Sequence, residues 1–94
     1  PVVTIHKFTN DEHAIQIANN TRYGLAGSIW TEDLEKANKV AESIHTGMIW
    51  INTWLHRDLR TPFGGVKDSG IGREGGRWSI GFFSETMNIC TKHD

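Results

Sequence analysis

The chain has 94 residues, 37% of them hydrophobic and 22% charged, with a formal net charge of −1. That balance excludes the electrostatic footprint of a nucleic-acid binder or a polybasic membrane anchor. The single cysteine, Cys90, excludes an internal disulfide and fits a reducing, cytoplasmic setting, and no apolar run approaches the roughly 18–20 residues of a membrane span.

A length of this order suits one small domain or part of a larger one, burying about 60–65% of its unfolded surface. Val2 to Phe8 is a near-continuous apolar and β-branched run, the pattern of a strand covered on both faces. It has no signal-peptide pattern and no lead-in, so it reads as a chain opening just ahead of an element. Thr9-x-x-Glu12 has the spacing of a capping box, and Ala14, Ile15, Ile17 and Ala18 continue as a helix to about Asn19-Asn20. Arg22-Tyr23-Gly24 reads as a turn and Leu25 to Trp30 as a second strand. Thr31 is placed to cap a second helix, with Glu32, Asp33 and Glu35 at its positive end. Leu34, Ala37, Val40, Ala41 and Ile44 recur at helical spacing, and Gly47 stops that helix. Met48 to Asn52 is a third strand.

The order β-α-β-α-β with short connections predicts an α/β fold, a partial parallel sheet with right-handed crossovers. From Thr53 to Arg73 the periodicity disappears. A structureless stretch of about twenty residues is uncommon in a compact domain and is usually functional or disordered. Trp54 and Phe63 within it, next to Trp50, argue against disorder. A short helix is expected from about Gly76 to Phe83, and Thr86 to Lys92 is β-like enough for a last strand.

Gly70 to Gly75 matches G-x-G-x-x-G letter for letter. A dinucleotide loop needs a strand before it, a helix after it and an acid about twenty residues on. The polar run before Gly70 and the lack of that acid favour simple backbone punctuation instead. The five histidines lack metal-ligand spacing, and Cys90 has no acid–base partner nearby in sequence, so no metal site and no nucleophile is assigned. Arg57, Arg60, Lys67, Arg73 and Arg77 outnumber Asp58, Asp68 and Glu74 around the loop. On composition this is either a solvated face or an anion site, for which guanidinium groups are better suited than lysine.

Four blocks taken in order, PVVT, NNTRYGLAGSIWT, GMIWIN and PFGGVKDSGIGREGG, resemble the end of an aldehyde dehydrogenase. In that family a Cys attacks the aldehyde, hydride passes to NAD(P), and a Glu activates water to hydrolyse the thioester. The resemblance implies that those residues and the cofactor segment lie upstream, so that this chain alone is inactive. Residues 1–85 would be the C-terminal part of the catalytic domain, and residues 86–94 the terminal strand of an oligomerisation region, giving a homo-oligomer. The loop WLHRDLRTPFGG is similar to the branch acting on 2-aminomuconate and 2-hydroxymuconate semialdehydes. In many other members the position of Arg57 holds an apolar or aromatic pocket residue. The resemblance therefore implies NAD as cofactor and Arg57 first, then Arg60, as the groups binding a carboxylate remote from the aldehyde. Phe63 would lie beside the active site, and Asn52 would position the loop. Another substrate within the family, a non-enzymatic association module and an unrelated anion-binding domain remain the alternative readings.

Overall fold

The computed structural model describes residues 1–94. The first apolar helical register is realised as α1, Asp11–Asn19. Its cap lies one residue later than the Thr9 expectation: the Asn10 side chain accepts the His13 N–H at 2.8 Å. Thr9 donates its own N–H to His13 Nδ1 at 3.3 Å. The second bond goes to the residue before the cap, so the capping box expected from Thr9 and Glu12 is replaced by an Asn10 cap with His13 reaching back to Thr9.

The turn expected at residues 22–24 is instead β1, Tyr23–Gly24, and after it comes β2, Ala26–Ile29. Helix α2, Leu34–Ser43, carries the chain across to β3, Met48–Ile51, which runs parallel to β2 with Ala26 opposite Met48 and Ile29 opposite Ile51. This is a βαβ unit, and it makes the fold α/β with a parallel sheet. The cap of α2 is Asp33, whose side chain accepts the Lys36 N–H at 2.9 Å. Thr31 is not the cap; its hydroxyl accepts the Asp33 N–H at 3.1 Å and shapes the approach. A carboxylate is the stronger acceptor at the positive end of a helix, so it takes the capping position.

Packing centres on the βαβ unit. Ala37 on α2 is fully buried, and Trp50 on β3 keeps only 6% of its surface exposed. A Trp buried to this degree removes about 150–250 Å² from water, on the order of 4–6 kcal/mol of transfer free energy. Its ring meets Trp54 edge to face at 5.0 Å. Its indole N–H donates to the His56 carbonyl at 2.7 Å, so the polar tip is satisfied. At Gly47 a side chain would run into the Gly64 carbonyl, so the helix-to-strand connection and the long loop can meet there only without a Cβ.

The loop after β3 is less irregular than its lack of periodicity suggests. It contains β4, Val66–Lys67, which pairs antiparallel with β1, and a further antiparallel bridge joins Phe63 to Glu74. Helix α3 spans Gly76–Phe83, as the sequence predicts.

The two outermost predicted strands are corrected. Residues 1–8 and 84–94 have no regular secondary structure. Val2 is 96% and Ile5 88% exposed, and neither segment is hydrogen-bonded to β2 or β3. An apolar β-branched run supplies the propensity for a strand, but a strand exists only when its N–H and C=O groups find a neighbouring ladder. The radius of gyration is 18.7 Å, against about 12 Å for a compact chain of this length. No helix is long and apolar enough to cross a membrane.

Candidate functional site

The candidate site is the loop from Thr53 to Gly75, and β3 sets where it begins. Asn52, in the left-handed conformation with φ 54°, ends the strand. Its side-chain oxygen accepts the Thr31 N–H at 2.9 Å and its amide donates to the Thr31 carbonyl at 2.8 Å. Its backbone N–H reaches the Ile29 carbonyl at 2.8 Å. Asn52 thus continues the β2–β3 ladder by one side-chain step and aims the chain into the loop. The left-handed region is tolerated best by Gly, Asn and Asp.

Most of the local positive charge is spent on holding the loop. Lys67 Nζ donates to the carbonyls of Asn19, the last residue of α1, and of Thr21 just beyond it, at 3.1 and 3.0 Å. Arg73 Nη1 donates to the Gly65 and Gly72 carbonyls at 2.9 and 2.7 Å. Arg77 stacks over Trp78 at 4.7 Å. Arg60 turns back on Asp58, with Nε 2.9 Å from Oδ1. Hydrogen bonds from the Arg60 side chain, then the one from its backbone N–H, hold the Asp58 carboxyl below the usual carboxylate range. Slight burial opposes this, and the charge of His56 adds to it. The Arg60 guanidinium is raised in turn by Asp58. Arg60 remains 88% exposed, and its side-chain hydrogen bonds all go to Asp58.

Arg57 is different. Its guanidinium carbon lies 4.2 Å from the centroid of the Phe63 ring, within cation–π range. Its Nη2 donates to Glu74 Oε1 at 2.8 Å. The Arg57 side chain keeps 37% of its surface exposed. Of the three residues expected at the substrate side, Arg57 and Phe63 are therefore brought together and Arg60 stands apart. Glu74 completes the group, and no local spacing announces it, since it lies 17 residues from Arg57 along the chain. Phe63 and Glu74 also line a cleft of about 450 Å³, whose other walls include Ile71, Arg73, Phe82 and Phe83.

The glycine-rich run does not fit a dinucleotide. The strand before it, β4, is two residues long and antiparallel, where a phosphate loop requires the strand of a βαβ unit. Gly72 and Gly75 have φ of 81° and 102°, so the glycines serve the backbone's path. No group of three His, Cys, Asp or Glu side chains has a metal-binding arrangement.

Comparison with known proteins gives a consistent result. The model of the aldehyde dehydrogenase family matches residues 1–89. Over 92 residues the chain is 52% identical to a 2-hydroxymuconic semialdehyde dehydrogenase of Pseudomonas putida, covering 98% of this chain and 19% of that protein. Over 93 residues it is 44% identical to the human 2-aminomuconic semialdehyde dehydrogenase, covering 99% of this chain and 19% of that one. Among solved structures it resembles the betaine aldehyde dehydrogenase of Staphylococcus aureus in complex with NAD+, with a TM-score of 0.84 and 42% identity. That match covers 88% of this chain and 16% of the other. The chain thus spans about a fifth of the length of the curated relatives it matches.

Proposed function

Because the chain belongs to the aldehyde dehydrogenase family, we propose that it is the C-terminal segment of a cytosolic, NAD-dependent dehydrogenase that oxidises a muconate-type semialdehyde to the dicarboxylate. In this reading the reaction consumes one aldehyde, one NAD+ and one water and yields the acid, NADH and a proton. The nucleophilic Cys, the Glu that activates water and the NAD site belong to other segments of the enzyme. This chain contributes one wall of the aldehyde pocket, and residues 86–94, unpaired in the isolated chain, become a strand only when a neighbouring subunit supplies the ladder.

The observation that carries the proposal is the Arg57 guanidinium stacked on Phe63 and still partly exposed. A planar cation fixed on an aromatic face presents its free N–H edge to a carboxylate in a defined orientation. An aldehyde bearing a remote carboxylate is the substrate such an edge would select. The identity to relatives named for muconic semialdehydes supports the same substrate class. The internally paired Arg60 is the weaker candidate, and its place is with Asp58.

The test is steady-state kinetics of the full-length enzyme carrying this segment. Arg57→Ala should lower kcat/KM for the carboxylate-bearing aldehyde by about 2–4 kcal/mol of transition-state stabilisation, chiefly through KM. An uncharged aldehyde of similar size should be little affected; an equal loss for both would assign Arg57 to packing. The same assay on the 94-residue chain should give no NADH, and turnover there would contradict placing the chemistry elsewhere.

A further inference from the structure

Phe63 and Glu74 face each other across an antiparallel bridge in which each N–H donates to the other's carbonyl at 2.8 Å. Their separation is therefore set by two backbone hydrogen bonds and not by side-chain choice. Arg57 comes from a stretch with no regular structure, two residues after Leu55 in the left-handed region with φ 56°. A long side chain on such a backbone samples many rotamers unless something fixes it. Two contacts do so: the Phe63 ring takes one face of the guanidinium, and Glu74 Oε1 accepts one of the two hydrogens of Nη2. Nε, Nη1 and the second hydrogen of Nη2 make no hydrogen bond within the chain.

From this geometry we infer that Glu74 is the positioning residue for Arg57. It anchors one corner of the guanidinium over Phe63, so that the remaining N–H edge meets the substrate carboxylate already oriented. The inference rests on the reading of Arg57 as the carboxylate-binding group. A negative charge beside a cation meant for an anion would ordinarily compete with it. Here the Glu74 side chain is 64% exposed and water screens its charge, while the hydrogen bond still restricts Arg57. Restricting a rotamer-rich side chain before binding removes an ordering cost from the binding step.

The experiment compares Glu74→Ala, Glu74→Gln, Arg57→Ala and the double variant Arg57→Ala/Glu74→Ala in the full-length enzyme. It uses a carboxylate-bearing semialdehyde and an uncharged aldehyde of similar length. Glu74→Ala should raise KM for the charged substrate about three- to tenfold with kcat retained. KM for the uncharged substrate should move less than about twofold. Glu74→Gln keeps an oxygen to accept from Nη2 and should restore most of the lost affinity. The double variant should be no worse than Arg57→Ala, because the two residues act as one unit. A lowered or unchanged KM in Glu74→Ala, a parallel rise for both aldehydes, or additive losses would overturn the positioning role. So would a Gln variant as weak as Ala. A silent Arg57→Ala would instead overturn the reading of Arg57 itself, whereas a strong Arg57→Ala beside a silent Glu74→Ala would remove only the inference about Glu74.

Discussion

Val2-Val3-Thr4-Ile5 and Met48-Ile49-Trp50-Ile51 are near equivalents as sequence, each four residues of apolar or β-branched character. In the fold they part completely. The second is β3, laddered to β2 and carrying the buried Trp50, and the first is without regular structure and exposed. What separates them is the availability of a partner. β3 is returned to β2 by the α2 crossover, so the cost of closing that connection is covered by a ladder and a covered Trp. Nothing brings residues 2–5 alongside a strand in this chain. The same contrast holds at the other end, where Met87 and Ile89 are exposed and unpaired.

The sharpest way to break this comparison is at its packed side. Trp50→Ala removes the one large buried side chain and should cost about 3–5 kcal/mol, read as the shift in a denaturant unfolding midpoint of this chain. A midpoint that does not move would show that the centre is not organised around Trp50. The exposed side should respond far less. Val3→Lys is expected to change stability by under about 0.5 kcal/mol, and amides 2–5 should exchange rapidly while those of 48–51 are protected. A loss comparable to that of Trp50→Ala would mean the first run is packed in solution after all.

The smallest effect concerns the loop between these regions. Arg60 holds the Asp58 carboxyl below its usual range, so the folded pKa is depressed. The contribution of the pair is therefore present above the unfolded-state pKa and lost as pH falls through the lowered folded value. NMR titration of the Asp58 carboxyl should show the lowered midpoint, and Arg60→Ala should move it toward the ordinary carboxylate range, the backbone N–H of residue 60 retaining part of the shift. Because the pair is open to solvent, the accompanying change in stability should be slight.

Much of the candidate site was legible in the residues. The aromatic content of the loop argued for order, and Trp50, Trp54 and Phe63 are indeed its anchors. Asn52 was expected to position the loop, and its paired hydrogen bonds to Thr31 do that. The bounds of α3 followed from its pattern. The β1–β4 pair was not legible, because two residues carry no periodicity. It is held by contacts distant in sequence: the Arg22–Asp68 ion pair at 2.7 Å, the two carbonyls held by Lys67, and the Gly24 N–H donating to Ser69 Oγ at 2.9 Å. The apparent basic excess also misled as composition, since Lys67 and Arg73 serve carbonyls and Arg60 serves Asp58.

By itself the sequence determined the family, through four motif blocks in order, and the βαβ core, because helix periodicity and strand runs are local properties. Only the tertiary structure decided which strand candidates become strands and which cations remain available. Both depend on what lies opposite in space: a second ladder for a backbone, or an acceptor for a charge. Arg57 and Glu74 stand 17 residues apart and meet only because the Phe63–Glu74 bridge folds the loop back on itself.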